Sequence, residues 1–243
     1  MRSLAIILLA LGFVLPAHAV RRFDYAFDEA ATTVIDDATP MTIGLTADAD
    51  DTLVVCTIVG NLSTPTISDD QDNVWETVVT QDGSGHRISC WVKCDASAAA
   101  YVVELVDVGE TFLVTTMLEY SGGDTTSCIQ NSAGNENTAD TSPFTGPTVT
   151  STSTALILGV GGASGDLTMS DGTERDSGSS VSSIRMSVGD KRATSASTWN
   201  TEWTFSGTIV TVGMAIAIGE AAGGAPSVPA AIFSTPTSRG GKR

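Results

Sequence analysis

Beyond an apolar leader, the chain almost nowhere repeats its apolar positions at the spacing of a helix. It alternates instead. MTIGLTA from Met41, DTLVVCTIVG from Asp51, HRISCWVK from His86, TFLVTTMLEYS from Thr111, TALILGVGG from Thr154, STWNTEWTF from Ser197 and TIVTVGMAIAI from Thr208 read as strands, separated by clusters of Gly, Asp, Ser and Asn. About ten such segments at short spacing predict an all-β chain, a jelly-roll-like antiparallel β-sandwich. The segment around Val54 is apolar on both faces, with Val54, Cys56 and Ile58 on one and Leu53, Val55 and Val59 on the other. A strand of that kind belongs in the middle of a sheet covered on both sides.

The pattern also repeats. Sliding the chain by 102 residues lays Thr52 on Thr154, Gly60 on Gly162, Thr66 on Thr168, Ser68 on Ser170 and Asp69 on Asp171 without a gap. Each half closes on a long strand, TFLVTTMLEYSG or TIVTVGMAIAIG. The sandwich is therefore expected to have pseudo-repeated halves, about 41–122 and 147–219, within one domain over 20–220, because either half alone would bury little surface.

Composition changes the picture at both ends. Residues 1–19 combine Arg2, an apolar run from Leu4 to Leu15, Pro16 and the small-residue end Ala17-His18-Ala19, which reads as a secretory signal peptide. That run is too short for a membrane span, and membrane insertion is not expected. From Ala221 to Arg243 the chain becomes rich in Gly and Pro, with an apolar patch at Ala230–Phe233 and a basic end, so 221–243 is expected to be a flexible tail. The sharper expectation is that this tail joins a neighbouring copy by adding a strand to its sheet edge. A formal net charge of -16 argues against nucleic-acid partners, which require clustered Lys and Arg.

Four cysteines in an exported chain imply two disulfides. Cys90 and Cys94 on one strand would stand about 13 Å apart, too far to bridge. This leaves Cys56 with Cys90 and Cys94 with Cys128, which is preferred, or the crossed pairing.

Candidate chemistry is sparse. The stretch TISDDQDNVW places Asp69, Asp70, Asp72 and Asn73 in one turn, where their oxygens could contribute to a structural calcium site. The repeated turn, TMSDGTERD, keeps only the serine and the first aspartate, so the shared element is an aspartate bonded to local amides. No other cofactor is expected. His86, the one histidine past the leader, follows Gly83-Ser84-Gly85 and reads as an exposed hairpin residue. No nucleophile elbow surrounds any serine. Glu104, Glu119 and Glu202 lie on strands but do not cluster as glycosidase carboxyls do; Glu119, in LEYSG, would be edge-exposed or paired. The alternation of HRISCWVK sends Trp91 to the face of Arg87 and Lys93, making these three the expected ligand-binding surface, with an aromatic plane for a sugar and charged neighbours for its hydroxyls. Trp199 and Trp203 share a face with Phe205 and read as core.

These segments, and above all the turn DDQDNVW and the strand end LEYSG, resemble a widespread jelly-roll module of secreted bacterial proteins and phage tail or virion proteins. In that module a D-x-x-G-N-x-W turn follows one strand and E-Y-S-G ends a later one. Asp70, Asn73 and Trp75 are matched to the turn, with Asp72 in the glycine's place, and Glu119, Tyr120, Ser121 and Gly122 to the strand end. The resemblance implies a non-catalytic binding or structural role and brings no catalytic residues with it. The expectation is a secreted or surface-exposed adhesion module directed at glycans or a cell-surface polymer. Its alternatives are a structural protein of a virion or extracellular filament, assembled as a homo-oligomer through the tail, and a jelly-roll glycoside hydrolase.

Overall fold

A computed structural model describes residues 26–36, 40–60, 62–83, 85–106, 112–137, 142–181, 184–206 and 211–221; the expected signal peptide and all of the expected tail but Ala221 lie outside the described residues. The described chain is all β. Its first eight strands are β1 (Ala26–Asp36), β2 (Met41–Ala47), β3 (Thr52–Val59), β4 (Thr66–Asp69), β5 (Glu76–Gly83), β6 (His86–Lys93), β7 (Ala99–Val106) and β8 (Phe112–Ser121). The next eight are β9 (Ile129–Asn137), β10 (Phe144–Ser151), β11 (Ala155–Ala163), β12 (Leu167–Met169), β13 (Thr173–Val181), β14 (Ile184–Ala193), β15 (Ser197–Phe205) and β16 (Thr211–Gly219).

The second eight repeat the first. One five-stranded sheet has the order β1-β8-β3-β6-β5 and the other β9-β16-β11-β14-β13; each is accompanied by a three-stranded sheet, β2-β7-β4 or β10-β15-β12. All pairings are antiparallel. Within each half the chain alternates between sheets in jelly-roll fashion, except that the fifth strand stays hairpinned to the sixth.

The four sheets stack as layers. Val54, Cys56, Ile58, Leu118, Leu158, Val160, Met214 and Ile216 belong to one core lying between the two five-stranded sheets. Leu53, Val55, Trp91, Tyr101 and Met117 fill a second core between the first of these and β2-β7-β4. On the other side, Val149, Ile157 and Ala217 in one cluster and Phe144, Leu167 and Trp203 in another fill the space beneath β10-β15-β12. Both five-stranded sheets are thus covered on both faces, which is why β3, β11 and β16 carry apolar residues without alternation: every position is buried. At about 1.5–3 kcal/mol for each large apolar side chain removed from water, burial between these layers is the main source of stability.

The halves meet symmetrically. β1 touches β13 and β5 touches β9; β8 touches β14 and β6 touches β16. Exchanging each strand for its repeat converts the first pair of contacts into each other, and likewise the second, so the halves pack like the subunits of an isologous dimer fused in one chain.

In the second half, glycines make room for the largest core side chain. A Cβ added at Gly146, Gly161 or Gly213 would lie 2.2, 2.7 or 2.9 Å from Trp203 ring atoms. Gly146 in β10, Gly161 in β11 and Gly213 in β16 therefore leave room for the indole, which stacks on Phe144 with centroids 5.6 Å apart.

Candidate functional site

Two disulfides join Cys56 to Cys90 and Cys94 to Cys128. The first links directly opposed residues of β3 and β6 and points into the central core. The second ties the end of β6 to the residue before β9 and so clamps the passage between halves. Such bonds are compatible with an extracellular location.

The acidic turn is a closed knot. Asp69 Oδ1 accepts the backbone N–H of Gln71 at 2.9 Å and of Asn73 at 3.1 Å; Oδ2 accepts Asn73 Nδ2 at 3.1 Å and the Trp75 indole N–H at 2.7 Å. Burial pushes this carboxyl's pKa up, but the hydrogen bonds from Asn73, Trp75 and Gln71 together outweigh it and hold the carboxyl below its ordinary value. Asp70 does something else. It continues the β4–β7 ladder, its N–H bonded to Val102 O and its Oδ1 accepting Val102 N–H at 3.0 Å. Asp69, and not Asp70, is therefore the aspartate that binds Asn73 and Trp75. Asp72 occupies the glycine position with φ 54°, the left-handed conformation that aspartate tolerates better than most residues.

The calcium reading finds no support here. Asp69 has both oxygens engaged by donors, and among the described residues no group of three or more His, Cys, Asp or Glu is placed to hold a metal ion.

The expected ligand-binding trio is not a surface. Trp91 is 2% exposed, enclosed between β6 and the β2-β7-β4 sheet with Trp75, Tyr101 and Met117. Alternation placed it correctly opposite Cys90, but the face it shares with Arg87 and Lys93 is covered by a further sheet. Arg87 and Lys93 stand at opposite ends of β6, about 20 Å apart along an extended strand. Arg87 is held in the hairpin by Asp82, at 2.5 and 3.0 Å, and by Thr64 Oγ1 at 2.7 Å. The hydrogen bond to Asp82 raises the arginine's pKa, and the reciprocal bond lowers that of Asp82. Lys93 lies half-buried in a shallow cleft of about 430 Å³ with Val74, Glu76, Asp95 and Thr126.

Other candidates also moved inside. His86, expected in an exposed turn, is buried, with Gly83 so close that a Cβ there would lie 3.1 Å from Nε2. Glu119 is 4% exposed and accepts the Asp48 N–H at 2.8 Å, holding the β2–β3 loop rather than lining an open edge. Glu104 on β7 and Glu202 on β15 belong to the outer sheets of opposite halves, so the three glutamates are not brought together. Trp199 is half-buried, its indole N–H donating to Ser151 Oγ at 3.0 Å.

Two features escaped the sequence. Arg175 forms a two-pronged ion pair with the buried Asp190, at 2.6 and 3.0 Å, which also accepts the Tyr120 hydroxyl at 3.1 Å. The bond to Asp190 raises the arginine's pKa. Because Tyr120 comes from the first half and Arg175 and Asp190 from the second, the group is a polar lock across the central core. The other feature is the outer face of β10-β15-β12. Thr145, Thr148, Thr150, Thr198, Asn200 and Thr204 are exposed there, with Thr150 opposite Thr198 and Thr148 opposite Asn200. Its one charged residue among the outward positions of β15 is the half-buried Glu202. In an acidic chain this is a neutral, hydroxyl-bearing patch. No family model, curated protein or solved structure matches the chain.

Proposed function

We propose that the protein is an exported, non-enzymatic binding module that engages a neutral glycan through the outer face of β10-β15-β12. The supporting observation is the ordered set of exposed hydroxyl and amide groups at Thr148, Thr150, Thr198 and Asn200, set in a paired ladder. Hydroxyls and amides both donate and accept, which matches the mixed donors and acceptors of a sugar chain. Strand pairing fixes their spacing before a ligand arrives, so little ordering entropy is lost on binding. The resemblance to jelly-roll modules of secreted and virion proteins supports the same class of role, as do the disulfides.

Binding to a panel of insoluble polysaccharides and a glycan array tests this. Thr150→Lys, at an exposed position, should abolish retention while shifting the melting temperature by less than about 2 °C, since a surface change of this kind costs within about 0.5 kcal/mol. Retention equal to wild type would reject this face.

A second reading is assembly with other copies. The outer face of β2-β7-β4 favours it, because Val102 is 47% exposed there beside exposed Ala100 and Gly44. Light scattering of the full chain and of Val102→Lys decides: an oligomer that the lysine dissociates supports this reading, and a monomer in both rejects it.

A further inference from the structure

The two halves are braced unequally. Both disulfides involve residues from Cys56 to Cys128, and no cysteine occurs in 142–221. At the turn that repeats the Asp69 knot, however, the second half brings up a lysine. Lys191, near the end of β14, places Nζ against Oδ2 of Asp171 in the β12–β13 turn and against the carbonyl oxygen of Asn200 on β15. The remaining carboxylate oxygen, Oδ1, accepts the Glu202 N–H at 2.8 Å. The Glu202 side chain is engaged separately, accepting the hydroxyl of Ser170 at 3.0 Å. The lysine and aspartate side chains are only 19% and 27% exposed.

We propose that Lys191 and Asp171 are a site of spontaneous intramolecular amide formation, a cross-link joining β14 to the β12–β13 turn. Within the ion pair the ammonium passes one proton to Oδ2 of Asp171, and the freed lone pair on Nζ attacks Cγ. A bond forms between Nζ and Cγ as the bond from Cγ to Oδ2 breaks. Oδ2 leaves as water with two of the three ammonium protons, one received before the attack and one as the bond breaks, and the third stays on the amide nitrogen. The positive and negative charges cancel, nothing is oxidised or reduced, and no co-reactant is required.

Each neighbour has a part in this step. The Glu202 N–H stabilises the charge that develops on Oδ1 and then bonds to the amide oxygen. The Asn200 carbonyl holds one N–H of the amine, turning its lone pair toward Cγ. Holding amine and carboxyl in contact replaces an encounter by an effective concentration of about 10⁵ M or more, which opposes the tendency of water to keep them apart. The first half offers an internal contrast. There the same aspartate, Asp69, faces an indole N–H, a side-chain amide and backbone amides, none of them a nucleophile, and that half carries the disulfides instead.

Intact-mass measurement on the folded, purified chain tests the proposal. After allowance for two disulfides, the wild-type chain should be lighter than its sequence by one water. Trypsin should fail to cut after Lys191 and should release a branched peptide containing Asp171 and Lys191. Lys191→Arg and Asp171→Ala should each restore the full mass, and should either fail to fold, the wild-type digest decides alone. A wild-type chain of full mass, cut normally after Lys191, would leave a plain ion pair and overturn the proposal.

Discussion

Replacing Asp69 by alanine removes the acceptor of four hydrogen bonds in one turn. The cost is unequal among them. The Gln71 N–H is exposed and finds water once the carboxylate is gone, so its loss contributes little. The Trp75 indole N–H is in a residue only 8% exposed and packed in the core beneath β2-β7-β4, so it is left without a partner, at about 1–3 kcal/mol. The two Asn73 bonds, in a half-buried turn, add about 1 kcal/mol between them. A total near 3 kcal/mol corresponds to a fall in melting temperature of roughly 6–12 °C for a domain of this size. Asp69→Asn should show about half that, because its amide must turn a donor toward some of the four donors.

The same carboxylate gives the effect a pH signature. Its folded pKa lies below the unfolded value, so its contribution is fully present above about pH 3.9 and is lost as pH falls through the folded value. Calorimetry of wild type and Asp69→Ala from neutral to strongly acid pH should therefore show two melting curves that are well separated at pH 7 and converge in acid. Melting within about 1 °C of wild type at pH 7, or a separation that does not shrink in acid, would refute the assignment of this turn to Asp69.

Three further outcomes are expected. Trp91→Ala should lower stability by about 3–5 kcal/mol in denaturant titration while sparing polysaccharide retention per folded molecule, because the ring is core and not contact surface. Arg175→Ala should cost about 3 kcal/mol by leaving the Asp190 carboxylate buried without its cation, and Arg175→Ala with Asp190→Ala should recover part of it; equal losses in single and double variants would deny the ion pair. Replacing Cys94 and Cys128 together by serine releases a closure spanning 34 residues and should lower unfolding free energy by about 4 kcal/mol in the chain-entropy account, read as a lower denaturant midpoint that reductant no longer changes for that bond.

What the sequence determined by itself was the local pattern: alternation made the strands, the self-similarity made two equivalent halves, and the spacing of Cys90 and Cys94 excluded one disulfide between them. It also marked β3 as buried on both faces, since Leu53 through Val59 offers no polar side to solvent. Alternation divides a strand into two faces but does not say what lies over either one. Only the stacking of four layers decided that, by laying β2-β7-β4 over the face of Trp91 that Arg87 and Lys93 share at its ends, a covering that also took in Glu119, while His86, on the Cys90 face, was enclosed on the side of the second half. The roles of Asp69, Asp171 and Lys191 were likewise out of reach, because each depends on which donor the fold delivers to a carboxylate: Asp69 meets a tryptophan six residues on, whereas Lys191 arrives at Asp171 from another strand of another sheet. Burial and partnership belong to the packed chain, and a single segment carries only the capacity for them.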